Sequence, residues 1–213
     1  YMALSKIQPA SMDLTANYAF TGTNSVAGIE YAEKKLATVT ASGDSALSFT
    51  SSIDSTYNIY KFRWINIHPS GSGGSGVSDW KVNFRDGGSN FDATKTTTAF
   101  GAYHNEAGND TSLSYNTGAD LAQSTSDQVL SVHGHVGGGA DESCSGEMFL
   151  FDPSSTTFVK HFTAVNQNYY NGTYSIVAYV AGYCNTTTAI DGVTFKFTSG
   201  NIDSGTIEMY GIN

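Results

Sequence analysis

The stretch Tyr57-Asn58-Ile59-Tyr60-Lys61-Phe62-Arg63-Trp64-Ile65-Asn66-Ile67 alternates aromatic side chains with charged and aliphatic ones. Tyr60, Phe62 and Trp64 fall on one face, because successive side chains of a β-strand point to opposite sides of the sheet. An aromatic face of this kind is typical of a strand that packs on a hydrophobic core. The pattern predicts a strand over 57–67 that ends at His68-Pro69, since proline lacks the backbone donor that a sheet requires.

Comparable strand signals recur along the rest of the chain, separated by turns rich in Gly, Asn, Asp and Ser. Residues 88–128 are polar, and we expect long loops there, with one or two short strands or a helical turn near Ala99–Asn105. Regularly spaced short strands are typical of a sandwich or barrel. The remaining predicted strands are Ile29–Thr40, Ala46–Thr50, Trp80–Arg85, Gln128–Val136, Gly146–Asp152, Phe158–Val165, Tyr174–Tyr183, Val193–Thr198 and Thr206–Tyr210.

These signals predict an all-β protein, a jelly-roll-like antiparallel β-sandwich over residues 29–213 that is preceded by a short extended arm. Residues 1–28 lack a clean period and are too short to fold alone. Their apolar side chains, Leu14, Tyr18 and Phe20 among them, predict a docking arm that packs on a partner or on the sandwich. No secretory signal is evident, so we expect synthesis in a cytosol.

Composition excludes several functions. With 10 Lys and Arg against 19 Asp and Glu, the net charge is −9, and the longest basic run is Lys34-Lys35. Nucleic acids and anionic membranes are bound through basic patches, so we expect neither as a partner. No window approaches 18 apolar residues, so no membrane-inserted segment is predicted. The 39% hydrophobic content is too high for a disordered chain.

The residues that could carry chemistry do not form a complete set. His133 and His135 would share a face on a strand and could meet one metal ion, but no compact third and fourth ligands accompany them. Carboxylates for glycosidase chemistry are abundant, as expected for an acidic surface. We therefore predict no catalytic residues, no metal and no cofactor. Cys144 and Cys184 can form one disulfide or remain free thiols, and the spacing leaves both alternatives open.

Tyr169, Tyr170 and Tyr174 surround Asn171-Gly172, which reads as the turn of a hairpin. Aromatic rings beside Asn and Gly on a loop can stack on sugars, because the ring faces are apolar. The alternative is that these tyrosines pack against neighbouring loops or another subunit. We predict Tyr169, Tyr170, Asn171 and Tyr174 as a binding site for a glycan or a partner.

Four parts of the chain carry a resemblance to a known family: Met2–Gln8, Asp13–Thr23, Tyr57–Phe62 with the following Ile65-Asn66-Ile67-His68-Pro69, and the ending Phe195-Lys196-Phe197 with Ser199–Ile212. These segments resemble the small structural proteins of marine, cyanophage-like tailed phages. The closing segment Gly205-Thr206-Ile207-Glu208-Met209-Tyr210-Gly211-Ile212 is similar to a pattern of phage tail-fibre and decoration proteins. The resemblance covers both ends and most of the C-terminal half, and it includes no catalytic residues and no implied disulfide.

The resemblance implies a virion surface protein, made in the host cytoplasm and released by lysis. It implies a homotrimer that binds other capsid or tail proteins, which we assign to the N-terminal arm. Our first hypothesis is a tail-fibre tip or adaptor that contacts host-surface glycans during attachment. The alternatives are a capsid decoration protein that stabilises the shell and a secreted carbohydrate-binding module. The chain is predicted not to be an enzyme.

Overall fold

The structure is a computed structural model that describes residues 33–71, 78–170 and 173–213. The predicted docking arm, with Leu14, Tyr18 and Phe20, lies outside these residues. In the described part of the chain, no helix is long and apolar enough to cross a membrane.

Twelve strands make up the regular structure of the described residues. They are β1 (Lys34–Thr40), β2 (Leu47–Phe49), β3 (Ile59–Pro69), β4 (Trp80–Arg85), β5 (Lys95–Asn105), β6 (Thr111–Tyr115), β7 (Gln128–Val129), β8 (Cys144–Phe151), β9 (Lys160–Tyr170), β10 (Tyr174–Cys184), β11 (Gly192–Phe197) and β12 (Ile202–Ile212).

The strands form two antiparallel sheets that pack as a sandwich. The larger sheet has the order β1-β12-β3-β8-β9-β10-β5-β6, and the smaller sheet has the order β2-β11-β4-β7. All neighbouring strands are antiparallel. The predicted all-β sandwich is therefore confirmed.

The aromatic face of β3 lies in the core, as its alternation predicts. Tyr60, Phe62 and Trp64 are fully buried between the sheets. Phe195 of β11 packs against this face from the smaller sheet, with its ring 5.7 Å from that of Phe62 and 5.8 Å from that of Trp64. Burial of such large rings contributes to the hydrophobic stabilisation that holds the two sheets together.

The end of β3 departs from strict alternation. Asn66 has a positive φ of 51°, and the pairing register with β8 shifts between Trp64 and Ile67. Because this bulge adds a residue, Ile67 turns into the core whereas Ile65 stays exposed. The sequence had placed both isoleucines on the face opposite the aromatic rings.

The larger sheet extends beyond β8 through β9, β10, β5 and β6, which we call the extension. The loop over residues 116–135, which includes the short strand β7, covers much of its inner face, and Phe84 of β4 packs against Phe162 of β9. Buried Gln128 anchors this loop, because its side-chain amide donates to the Ala119 carbonyl at 2.8 Å and accepts from the Thr97 hydroxyl at 2.6 Å. The inner face accordingly buries polar groups, including Lys95, Lys160 and Asn168.

Two sequence predictions are corrected here, and the alternative that was left open for the cysteines is decided. Residues 99–105 belong to the eleven-residue strand β5 and form no helical turn. The strand predicted over Gln128–Val136 is regular only at Gln128–Val129. Cys144 and Cys184 are buried free thiols. They cannot meet, because Cys144 pairs with Asn168 at one end of β9, whereas Cys184 pairs with Lys160 at the other end.

Candidate functional site

Three tyrosine rings converge on the inner face of the extension. Tyr103 comes from the end of β5, Tyr170 from the end of β9 and Tyr174 from the start of β10. The Tyr103 and Tyr174 rings meet edge to face at 5.9 Å, and the Tyr170 and Tyr174 rings lie 6.2 Å apart. Pairing within the antiparallel sheet aligns these positions, so the backbone holds the rings together and leaves each of them partly exposed.

His133 closes one side of this cluster, with its ring 6.5 Å from that of Tyr103. Its Nε2 lies 2.8 Å from the Ser114 carbonyl oxygen, which can only accept, so Nε2 carries a proton. His133 adopts a positive φ of 70°, which is uncommon for a residue with a side chain. Gly101 permits the approach, because a Cβ there would lie 3.0 Å from the His133 ring and 2.5 Å from a backbone oxygen.

His135 lies on the other side of Tyr170, with their rings 6.2 Å apart. Its Nδ1 is 2.7 Å from a carboxylate oxygen of Asp79. The buried amide of Asn168 donates to the His135 carbonyl at 2.9 Å and fixes the backbone of this segment to β9. Gly134 brings the segment close to the sheet, since a Cβ there would lie 2.5 Å from the Ile176 side chain.

Asp110 supplies a fixed carboxylate beside the rings. The Tyr174 hydroxyl donates to Asp110 Oδ2 at 2.9 Å. This hydrogen bond, with a smaller contribution from desolvation, raises the pKa of Tyr174 above its usual range. The phenol therefore remains a donor at neutral pH, and the free lone pairs of the carboxylate can accept from a ligand hydroxyl.

Two cavities meet at His133 and Tyr170, which line both of them. The first encloses about 360 Å³ and is also lined by Tyr103, Asp110, Tyr174 and Ile176. The second encloses about 470 Å³ and extends from Tyr170 towards Asp79, Asn116 and His135. We call the two together the tyrosine cleft. Among the described residues that line it there is no lysine or arginine.

A larger cavity of about 720 Å³ lies elsewhere, beside His68, Asp141 and Asp203. Its size does not make it the better site. His68 is hydrogen-bonded to the Gly139 carbonyl at 3.0 Å, and Glu142 accepts from the Gly139 amide. No tyrosine, phenylalanine or tryptophan is among the described residues that line it, so it offers no ring face to a ligand.

The tyrosine cleft combines apolar ring faces with hydrogen-bonding groups of fixed direction. This combination is how proteins recognise small polar ligands that have apolar faces. Metal chemistry would need a different arrangement, because His133 and His135 turn to separate partners, Ser114 and Asp79. The described residues contain no group of three or more His, Cys, Asp or Glu side chains that could hold a metal ion.

The structure separates the predicted binding residues. Tyr170 and Tyr174 come together in the cleft, as described above. Tyr169 lies on the opposite face of β9, where its hydroxyl donates to Glu106 at 3.3 Å. Asn171 lies outside the described residues. Sequence reasoning missed Tyr103 and Asp110, because they lie more than 60 residues away along the chain and no local pattern connects them to the Asn171-Gly172 turn.

Comparison of the chain with protein-family models, with curated proteins and with solved structures finds no match.

Proposed function

We propose that the protein is a non-enzymatic binding protein of a virion surface, and that its tyrosine cleft holds a neutral glycan of the host surface. The observation that carries this proposal is the convergence of Tyr103, Tyr170 and Tyr174 on one pair of cavities beside Asp110 and His133. Sugars present apolar C–H faces and a rim of hydroxyls, and the cleft offers ring faces and fixed acceptors to match.

The charge around the cleft favours a neutral glycan over an acidic one. Asp79 and Asp110 line the two cavities, and no lysine or arginine does so among the described residues. The whole chain carries a net charge of −9, so an anionic sugar would meet repulsion with no cation to offset it.

The strand connectivity supports a jelly roll as the scaffold. The orders β1-β12-β3-β8 and β2-β11-β4-β7 place the consecutive strands β1 and β2, β3 and β4, β7 and β8, and β11 and β12 in opposite sheets. Two Greek keys wound in this way define a jelly roll. The hairpins β5–β6 and β9–β10 are then insertions that form the extension, and the cleft lies on the inserted part.

The resemblance of the chain ends to phage structural proteins supports a location on the virion. A tail-fibre tip or adaptor is the first candidate for that location. Capsid decoration is the second candidate, because the outer face of the extension exposes apolar side chains suited to contact with other subunits. A secreted carbohydrate-binding module would share the cleft but not the virion. Cryo-electron microscopy of intact particles distinguishes the three candidates. Density on fibres favours the tail-fibre tip or adaptor, density at capsomer junctions favours capsid decoration, and absence from the particle favours the secreted module.

The cleft itself is tested by binding to an array of neutral oligosaccharides. We expect Tyr170→Ala to abolish retention, because it removes the ring that lines both cavities. Tyr169→Ala is a matched control on the neighbouring residue, whose side chain lies on the opposite face, and it should bind like the unchanged protein. Both variants should melt near the unchanged protein.

Equal loss of binding in the Tyr169→Ala and Tyr170→Ala variants would reject the cleft as the site. Retention of acidic glycans alone would contradict the charge argument. Turnover of a bound glycan would contradict the non-enzymatic assignment.

A further inference from the structure

The outer face of the extension exposes a continuous row of apolar side chains. Pairing across the sheet aligns Tyr115 of β6, Phe100 of β5, Tyr179 of β10 and Val165 of β9, and Leu113 lies beside this row on β6. These five residues are between 36% and 73% exposed. Scattered apolar residues are normal on a protein surface, whereas a contiguous apolar patch is a candidate interaction site.

The same face carries no Asp, Glu, Lys or Arg at the outward positions of its four strands, β5, β6, β9 and β10, and its outward histidines are His104 and His161. Among the described residues, carboxylates border the face where Asp120 accepts from Tyr115, where Glu106 accepts from Tyr169, and at Glu147 of β8, which pairs with Val165. This is unusual for a chain with 29 charged residues.

The other half of the same sheet face is different. There, charged side chains pair with each other: Arg63 with Glu208 at 2.6 Å, Lys35 with Glu208 at 3.3 Å and Lys61 with Glu147 at 3.1 Å. Paired surface charges of this kind are typical of a solvated face. The contrast places the boundary of the uncharged face between β8 and β9.

The ring geometry favours a protein over a sugar as the occupant. The Phe100 and Tyr179 rings stack on each other, 5.2 Å apart and inclined by only 12°. Their faces are therefore already in contact, and mainly their edges are presented outwards. A sugar needs an open ring face, whereas a second protein surface can pack against edges and methyl groups.

We propose that this uncharged face, formed by Leu113, Tyr115, Phe100, Tyr179 and Val165 with their neutral neighbours, is the surface through which the protein binds a second copy of itself. Two chains of net charge −9 repel each other, and a contact free of charge is the one that avoids placing carboxylates against carboxylates. The uncharged face of one copy matches the same face of another, as a self-complementary contact requires.

The available area is sufficient for a specific contact. Large side chains have roughly 150–250 Å² of surface each, and these five are only 36–73% exposed, so together they still offer on the order of 400–500 Å² per copy. Two copies then approach the total of about 1,000 Å² that a specific interface needs, before the neutral neighbours are added. β6 is also the last strand of its sheet, with β5 as its only strand partner among the described residues, so its backbone can pair further.

The experiment is sedimentation velocity of the full chain and of Leu113→Lys from low to high micromolar concentration. Leu113 is 73% exposed, so a lysine there should leave the fold intact. The matched control is Phe158→Lys, which changes a side chain that is 69% exposed outside the face. We expect the unchanged protein and Phe158→Lys to associate, and Leu113→Lys to raise the dissociation constant at least about tenfold.

A second variant, Val165→Lys, should act in the same way, because Val165 lies at the opposite end of the row. Melting curves of all three variants exclude loss of folding as the cause. A monomeric unchanged protein would overturn the proposal, and so would an oligomer that survives both Leu113→Lys and Val165→Lys. In the monomeric case, cross-links from residues 1–32 to this face would identify the N-terminal segment as its cover.

Discussion

Lys95 is fully buried on the inner face of β5, and its replacement by methionine tests how the extension tolerates charge. The Lys95 Nζ donates to the Ser126 carbonyl at 2.8 Å. Desolvation lowers the pKa of Lys95 from its usual 10.5 to about 8, against weaker opposing effects of Cys184 and nearby carboxylates. A charged ammonium at this position therefore destabilises the folded state.

The direction of the pH dependence follows from proton binding. Between about pH 8 and 10.5 the unfolded chain holds the Lys95 proton and the folded chain does not, so the free energy of unfolding rises with pH in this window. The pKa values of Lys95 in the unfolded and folded chain differ by about 2.5 units, so burying the charged form costs about 3 kcal/mol of stability. About 1 kcal/mol of this stability is regained between pH 7 and 9, as the folded chain loses the proton.

We expect Lys95→Met to be as stable as the unchanged protein at pH 7 or about 1 kcal/mol more stable. It removes the buried charge but leaves the Ser126 carbonyl without its donor, which costs about 1–3 kcal/mol. The stability of Lys95→Met relative to the unchanged protein should fall by about 1 kcal/mol at pH 9, because at that pH Lys95 of the unchanged protein is mostly deprotonated.

Urea denaturation of both proteins at pH 7, 8 and 9 measures this difference. Cys184 complicates the absolute stabilities, because burial raises its pKa to about 12 and the folded state loses stability as pH rises above 9. Subtracting the two proteins cancels that contribution. Lys34→Met, which removes an exposed lysine of β1, is the control for the loss of a lysine. A difference between Lys95→Met and the unchanged protein that stays constant from pH 7 to 9 would refute the reasoning.

Two further predictions concern the cleft and the charged half of the sheet. Gly134→Ala should destabilise the fold by about 1–3 kcal/mol and weaken glycan binding, because its Cβ would displace Ile176 and press on Tyr170; a melt and a binding curve like those of the unchanged protein would contradict this. Hydrogen bonds from Arg63 and Tyr210 lower the pKa of Glu208 to about 2. The ionised carboxylate therefore stabilises the folded state, by about 1 kcal/mol once solvent screening is taken into account. This stabilisation is present above pH 4.5 and is lost as the pH falls towards 2. Denaturation of Glu208→Gln and the unchanged protein should give curves that differ near neutral pH and converge in acid, and a difference that persists at about pH 2 would contradict it.

The sequence predicted the sandwich wherever a strand buries large apolar side chains. β3 and β4 follow this rule, and β4 matches its predicted bounds Trp80–Arg85. β5 does not, because its inner face is covered by the loop over residues 116–135, which contributes only the two-residue strand β7 of the smaller sheet. It buries Lys95, Thr97, Ala99 and Gly101 there, and these give no hydrophobic alternation from which a strand could be predicted.

The cleft could be predicted only in its local part. The Asn171-Gly172 turn brings Tyr170 and Tyr174 into register, and that signal is visible in the sequence. Tyr103 joins them through pairing of β5 with β10, and β5 was not recognised as a strand. His133 was noticed only as a possible metal ligand together with His135. Two histidines two residues apart share a face only on a strand, and residues 133–135 do not form one.

The two proposed surfaces belong to the same inserted strands and lie on opposite faces of them. Tyr103, Tyr170 and Tyr174 point inwards to the cleft, whereas Phe100 and Tyr179 point outwards from neighbouring positions of β5 and β10. Association through the outer face would therefore leave every cleft open. A self-complementary contact between outer faces turns the two clefts of a pair in opposite directions, so they cannot both engage one flat surface. The gain in overall affinity of about 10²–10⁴ that linked sites can give then requires glycan chains long enough to reach both sides of the pair.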